Sequence, residues 1–540
     1  KVGLICVACD IPAARKIGGF LGHMANQGCS FCKKKFYKNG KLDFSGFDRD
    51  HWPPRTSEEH KREAKETLEE TSPTAQQNRC SLHGARYSVL HELEYFDCIR
   101  FFVVDPMHNL YLGTAKHLMR NIWQNENSPL LKNEDFKEMQ NVVDSMITPQ
   151  DVGRIPRKIA DCCGGFTADQ WQNWTIIYSV RALHGVLPKK HLHGWQLFVT
   201  ACKLLGRKTI STEDIEIGDR YLLSFLDEIV KLYGTDVVTP NMHLHCHLKS
   251  CLYDFGPFHG FWCFSFERYN GILGNYHTNN RSIEIQIMRK FLAQIKTKEF
   301  TLPTDYHENL SEFFTDQAVY GSVKSSETPV EAQLDLFRAQ TLLLFDFETL
   351  DWGESSHVEA FPPIKDSTLD NDGVRYLKQV YCKFLGVNNA ELIDVPFTIS
   401  KFVSVKVGPI VLGSLGSRTL RNAYILVDWA GCSGRIKEDS SDRRARPGEV
   451  VYFFRQQVLR RSPYTGLPGE TYKFYMARVN WYSQHPNRDD CGDHVKIWCK
   501  DFDSFGPACF VPIKRIKSRF VAGTGLYKKN VMFVTTLPGD

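Results

Sequence analysis

The feature that most constrains this chain is a change of period in its hydrophobic pattern near residue 396. Before it, apolar residues recur at helical spacing. In Asn109–Trp123 (NLYLGTAKHLMRNIW) they fall at 110, 112, 115, 118, 119, 122 and 123, the stripe of a helix with one buried face. Similar patterns predict helices over Trp195–Leu205, Ile215–Tyr233, Phe264–Leu273 and Ser282–Ile295, and a buried one carrying Trp171 and Trp174. After it come short β-rich runs such as AYILVDWA, YKFYMARVNWY and VMFVTTL, with Gly, Pro, Asn and Asp between them. Runs of that kind predict a C-terminal all-β, barrel-like domain over residues 391–540. Residues 301–390 are acidic and turn-rich, and read as a linker with one helix around 330–345.

Two apolar runs in the first part end on an acidic residue. Val2–Ala8 (VGLICVA) is followed by Cys9, Asp10, Ile11 and Pro12. Proline cannot donate to a ladder, so the expected strand stops just past Asp10. Ile99–Val104 (IRFFVV) leads in the same way into Asp105 and Pro106. Two carboxylates at strand ends, with a third on a later helix, suit a pair of divalent cations such as Mg²⁺, which need few protein oxygens. The plainer reading of each Asp is that it starts a turn before proline. The chain opens on Lys1, not on an initiator Met, and directly at the first apolar run, so it reads as a fragment that begins inside a strand.

Seventeen cysteines in 540 residues are few, odd in number and irregular in spacing, apart from Cys29-Ser-Phe-Cys32. This argues for reduced thiols in an intracellular protein, with the C-x-x-C pair on a metal. Structural zinc takes four ligands. His108 and His23 are the leading candidates for the remaining two, Cys80 with His83 is a further one, and a simple pair of buried thiols is the alternative. If HLHCHL is helical, His243 and His247 share a face at i,i+4 spacing. They read as buried histidines supporting the helix that follows, or else as metal ligands. A net charge of +5 is compatible with a nucleic-acid partner without requiring one. No apolar run is long enough to cross a membrane.

Three segments taken in order carry a resemblance. They are CDIPAARKIGGFLGHMANQGCSFC (residues 9–32), VDPMHNLYLGTAKHL (104–118) and FSFERYNGILG (264–274). Together they resemble the transposases of the CACTA (En/Spm) superfamily over about residues 1–295. Those enzymes show an Asp followed by Pro-Ala, a C-x-x-C, an Asp-x-x-His and a Phe-Glu-Arg-Tyr. The resemblance implies an α/β ribonuclease-H-like catalytic core whose metal triad is Asp10, Asp105 and Glu267, loaded with Mg²⁺ or Mn²⁺. It also implies a large helical insertion before the glutamate. The gap of about 160 residues between Asp105 and Glu267 is too long for one α/β connection. The expected partition is core over 1–125, insertion over 126–260 and the glutamate helices over 261–300. The His-Leu pairs around His243 have a counterpart in the family's plant members, which suggests a shared structural or near-site role. The implied partner is double-stranded DNA, both transposon ends and target, handled by a homo-oligomer in the nucleus. The implied reaction is strand cleavage followed by attack of the freed 3′-hydroxyl on target DNA. The alternative is a host-recruited or inactive derivative that binds DNA or chromatin. Two departures stand out: no N-terminal DNA-binding module is visible, and the sheet strand expected after Asp105 cannot be placed.

Arg268 beside Glu267 either touches DNA phosphate or pairs with a carboxylate. His108 could equally contact the scissile phosphate. The basic clusters Arg443, Arg444 and Arg446, and Lys514, Arg515, Lys517 and Arg519, read as solvated surface charge or as DNA contacts. The β region is similar in pattern to bromo-adjacent-homology barrels, and its aromatics beside basic residues fit either a core or a binding face.

Overall fold

A helix at Pro240–Phe255 is the beam on which the first half of the chain is assembled. Its start is written in the sequence: Thr239 accepts the Met242 N–H and Pro240 occupies the first turn, while Gly256 at φ 76° ends it. One side holds the segment after Asp105. Thr114 and His245 share a hydrogen bond of 2.9 Å, and Asn109 Nδ2 donates to the Asn241 carbonyl at 2.8 Å. The two backbones approach closely at Gly113, where a Cβ would lie 2.6 Å from the Asn241 amide. Another side accepts the Arg49 guanidinium on the Cys246 carbonyl at 3.2 Å. Arg49 also forms an ion pair with the buried Asp219 of the Thr212–Tyr233 helix.

The computed structural model describes residues 3–298 and 358–537, apart from 39, 126–128, 154–158, 160–164, 280, 409, 431–435, 437–444, 463–467 and 525–529. It divides into two compact units, residues 1–262 with 342–540, and residues 263–341. The second holds the predicted helices Phe264–Gly274 and Ile283–Lys298. In the first, the helices Lys189–Leu205 and Thr212–Tyr233 pack side by side, with Trp171, Trp174, Trp195, Phe198 and Phe225 buried between the elements. The predicted helix after Asp105 forms, with wide π turns over Met107–Ala115 and Leu118–Trp123. A wide turn frequently marks a functional site.

The ribonuclease-H-like sheet expected over residues 1–125 is not found among the described residues. The two apolar runs meet in one parallel bridge, Val7 to Phe102, closed by Val7 N to Phe101 O at 2.7 Å and Val103 N to Val7 O at 3.2 Å. The reason is local. Asp97 Oδ1 accepts the N–H groups of both Ile99 and Arg100 at 2.9 Å, which folds the start of the second run into a turn. Ile11 already begins a helix beyond the first run. The first half is therefore a helical region.

The last part is sheet-rich, as its pattern predicts, but it is not a closed barrel. A ten-stranded antiparallel sheet runs from Phe510–Pro512 through Pro468–Gln484, Val495–Phe502, Val531–Thr536, Ile516–Thr524, Tyr424–Val427, Arg446–Arg461 and Thr398–Phe402 to Lys365–Thr368. Ile393–Asp394 also pairs with Arg446–Arg461. The two longest strands, Arg446–Arg461 and Pro468–Gln484, pair with each other as well and fold the sheet back on itself. Phe453, Phe454, Val479 and Trp481 fill its core together with Leu377, Val380 and Tyr381. Those last three come from the Asn371–Phe384 helix, within the stretch read as linker. The helix expected around 330–345 lies outside the described residues.

The sheet is docked on the helical region. Ile147 and Ala522 form an antiparallel bridge, Gln196 Nε2 donates to the Cys491 carbonyl at 2.9 Å, and Thr200 Oγ1 meets His494 Nε2 at 2.6 Å. Two basic residues taken for surface charge are spent inside. Arg519 is 6% exposed and pairs with Asp151 at 2.7 Å; Arg446 is 2% exposed and donates to the Tyr482 carbonyl and to Asp503. Arg443 and Arg444 lie outside the described residues.

Candidate metal centre

Four side chains from two distant segments converge at the foot of the Pro240–Phe255 helix. Cys29 and Cys32 sit on a loop, and His243 and His247 sit one turn apart on the helix; their ligand atoms all lie within 4.8 Å of one another. The C-x-x-C spacing puts both sulfurs on one side of the loop, and the i,i+4 spacing puts both imidazoles on one face. Cys29 Sγ lies 3.5 Å from His247 Nε2, and Cys32 Sγ lies 3.5 Å from His243 Nε2. Tetrahedral zinc with sulfur at about 2.3 Å and nitrogen at about 2.0–2.1 Å places each sulfur–nitrogen edge at about 3.5–3.6 Å. The cluster can therefore bind a metal such as zinc.

The surroundings fit that use. Phe31 stacks on His247, Phe36 meets His243 edge-on, and Trp52 lies against both imidazoles. The Phe31 N–H points at Cys29 Sγ at 3.3 Å, a contact that favours the thiolate. The buried Arg55 fixes the loop by donating to the carbonyls of Cys29, His83 and Gln27. Burial, the largest influence, opposes ionisation of Cys29. The hydrogen bond from Cys32, with His247 and His243 alongside, outweighs it and holds the Cys29 thiol well below its usual range. Cys32 is pushed up, first by that same hydrogen bond and then by burial. Burial lowers His243, which keeps its ring neutral, the form a metal requires.

Of the histidines expected to complete the C-x-x-C, neither His108 nor His23 is in the cluster. His23 is exposed. His108 turns to Asp105, with Nδ1 2.6 Å from Asp105 Oδ2. Cys80 is buried elsewhere, and His83 pairs with Glu63 at 3.1 Å. His243 and His247, for which the sequence favours a structural role, are the two histidines of the cluster. The signal that could have found it was arithmetic: two thiols and two imidazoles on one helix face make the four ligands zinc needs.

The acidic residues fall as follows. Asp10 is exposed and caps the Ile11–Ile17 helix, accepting the Ala13 N–H at 2.7 Å. Asp105 is 3% exposed, and its oxygens accept from the N–H groups of Met107 and His108 and face the His108 ring. The Val7–Phe102 bridge sets their register, since each Asp lies three residues beyond its member of the pair. Both act on Cys9, whose thiol is pushed up to about 11 by burial, then by Asp10 and Asp105. As arranged, the Asp105 carboxylate is a helix cap and a histidine partner. Glu267 and Arg268 are exposed on the Phe264–Gly274 helix of the other unit.

Comparison with known proteins finds no matching family model and no match among curated proteins.

Proposed function

We propose that the chain is the catalytic part of a cut-and-paste DNA transposase of the CACTA type, with Asp10, Asp105 and Glu267 as its acidic triad. The observation that carries the reading is the parallel Val7–Phe102 pairing, which brings the first two motif aspartates to the same level of adjacent segments. In this reading the Cys29, Cys32, His243 and His247 cluster holds structural zinc, and the triad takes Mg²⁺ or Mn²⁺. Zinc would bind the Asp10 segment to the helix that leads in sequence toward Glu267. A second reading has its own support. Both aspartates are engaged in capping, and Asp105 is engaged with His108, as expected of a derivative that binds DNA or chromatin without cutting it.

Nicking of transposon-end DNA by the full chain, with divalent metal supplied, separates the two. Glu267→Gln and Asp105→Asn should each abolish cleavage and leave DNA affinity nearly intact, because affinity rests on phosphate contacts elsewhere. Asp254→Asn, outside the motifs, should leave cleavage unchanged. Cleavage that persists in Glu267→Gln overturns the triad. Salt-dependent DNA binding without any nicking selects the second reading.

A further inference from the structure

Arg15 is a buried cation with no ion pair among the described residues. It sits in the last turn of the Ile11–Ile17 helix, is 6% exposed, and its Nη1 has no hydrogen-bond partner. Leaving a guanidinium out of water with unmet donors costs free energy unless an anion meets it.

Arg15 also lines a cleft. Cys9, Ile11, Ala14, Ser30 and Asp105 are among its walls, and its volume is about 20 Å³, room for one water-sized atom such as a phosphate oxygen. The helix is held in place from behind. Gly19 follows it at φ 73°, where a Cβ would meet the Arg86 carbonyl at 2.1 Å, so the chain turns there tightly and the Arg15 backbone is fixed. The guanidinium has planar forked donors that match phosphate oxygens.

We propose that Arg15 is an anion ligand, and that the cleft between it and Asp105 takes a phosphate oxygen of a nucleic-acid backbone. The source of that anion rests on the DNA reading above; the anion site itself does not. Arg15 then holds the phosphate beside Asp105 as a positioning residue.

Cys9 in the cleft wall provides the readout. The zinc-loaded full chain is treated with iodoacetamide at alkaline pH, and modification of Cys9 is followed by mass spectrometry. The reaction is run with a double-stranded oligonucleotide, with inorganic phosphate, and with sodium chloride at matched ionic strength. Protection by the oligonucleotide is expected. Arg15→Met should raise the half-protecting concentration by about tenfold or more, and Arg15→Lys by less, because one charge-assisted contact is lost or weakened. Zinc content and circular dichroism show that each variant is folded, and Arg15→Lys serves if Arg15→Met is not. Protection by phosphate alone keeps the anion site and assigns it to a small anion. No protection by either, or protection unchanged in both Arg15 variants, overturns the proposal. A chain that is protected yet never nicks DNA overturns the transposase reading and leaves the site standing.

Discussion

Removing zinc from the Cys29, Cys32, His243 and His247 cluster is the perturbation with the most calculable result. Cys32 and His243 are separated by 211 positions in sequence. Treated as a cross-link, a metal between them removes loop-closure entropy from the unfolded chain worth about 5 kcal/mol at 25 °C. Spread over the unfolding entropy of the helical half alone, or of the whole chain, that is a fall in Tm of roughly 10 or 5 °C respectively. The figure is an upper bound, because unfolded cysteine and histidine also bind zinc. The assay is calorimetry of the full chain before and after chelation, with zinc counted by elemental analysis. One zinc per chain is expected. His243→Ala and Cys32→Ser should each lose the metal and show the same fall, whereas His23→Ala should keep both metal and Tm. A Tm unchanged after confirmed removal of zinc would refute the cross-link argument. Zinc retained in His243→Ala but lost in His108→Ala would return the site to the histidine first expected from the sequence.

Acid should weaken the fold through two buried histidines. His60 Nε2 donates to the Gly18 carbonyl and His494 meets Thr200; burial, the leading cause, lowers each to about 3. A histidine kept neutral in the folded state leaves the unfolded chain to take the proton first, so stability is intact above pH about 6.5 and lost as pH falls toward 3. Between those limits each of the two contributes a slope of roughly 1.4 kcal/mol per pH unit, and His494→Gln should lower the slope measured by urea unfolding at several pH values by about that amount. Phe453→Ala, at a fully buried position of the sheet core, should cost about 3–5 kcal/mol in the same assay; a loss below 1 kcal/mol would argue against that packing. Arg519→Met should destabilise the chain by about 1–3 kcal/mol and, if the chain binds DNA as proposed, leave the salt dependence of that binding unaltered, since Arg519 is spent on Asp151 and Asn422; a reduced salt slope would show that it reaches phosphate instead.

What the sequence determined by itself was local. The helical stripe after Asp105, the capped starts such as Ser211 and Thr239, and the short β runs of the last part all follow from spacing that the backbone imposes within a few residues. The same holds for the C-x-x-C loop and for the shared face of His243 and His247. What only the tertiary structure decided was which of these local pieces meet. Cys29 and Cys32 could be completed by any nearby histidine in principle, and the sequence offers His23, His108 and His83 as well as the pair that meets them. The choice of His243 and His247 depends on the Pro240–Phe255 helix docking against the loop through Arg49, Trp52 and Phe31. The same dependence hid the fate of the charges. Arg15, Arg446 and Arg519 look like surface residues in a sequence, because burial is set by the total packing of distant segments and not by a residue's own neighbours. It also hid the shortness of the first strands. An Asp at 97 can cap a turn or end a loop, and only the neighbours available to Ile99 and Arg100 settle that their N–H groups go to Asp97 and not to a sheet.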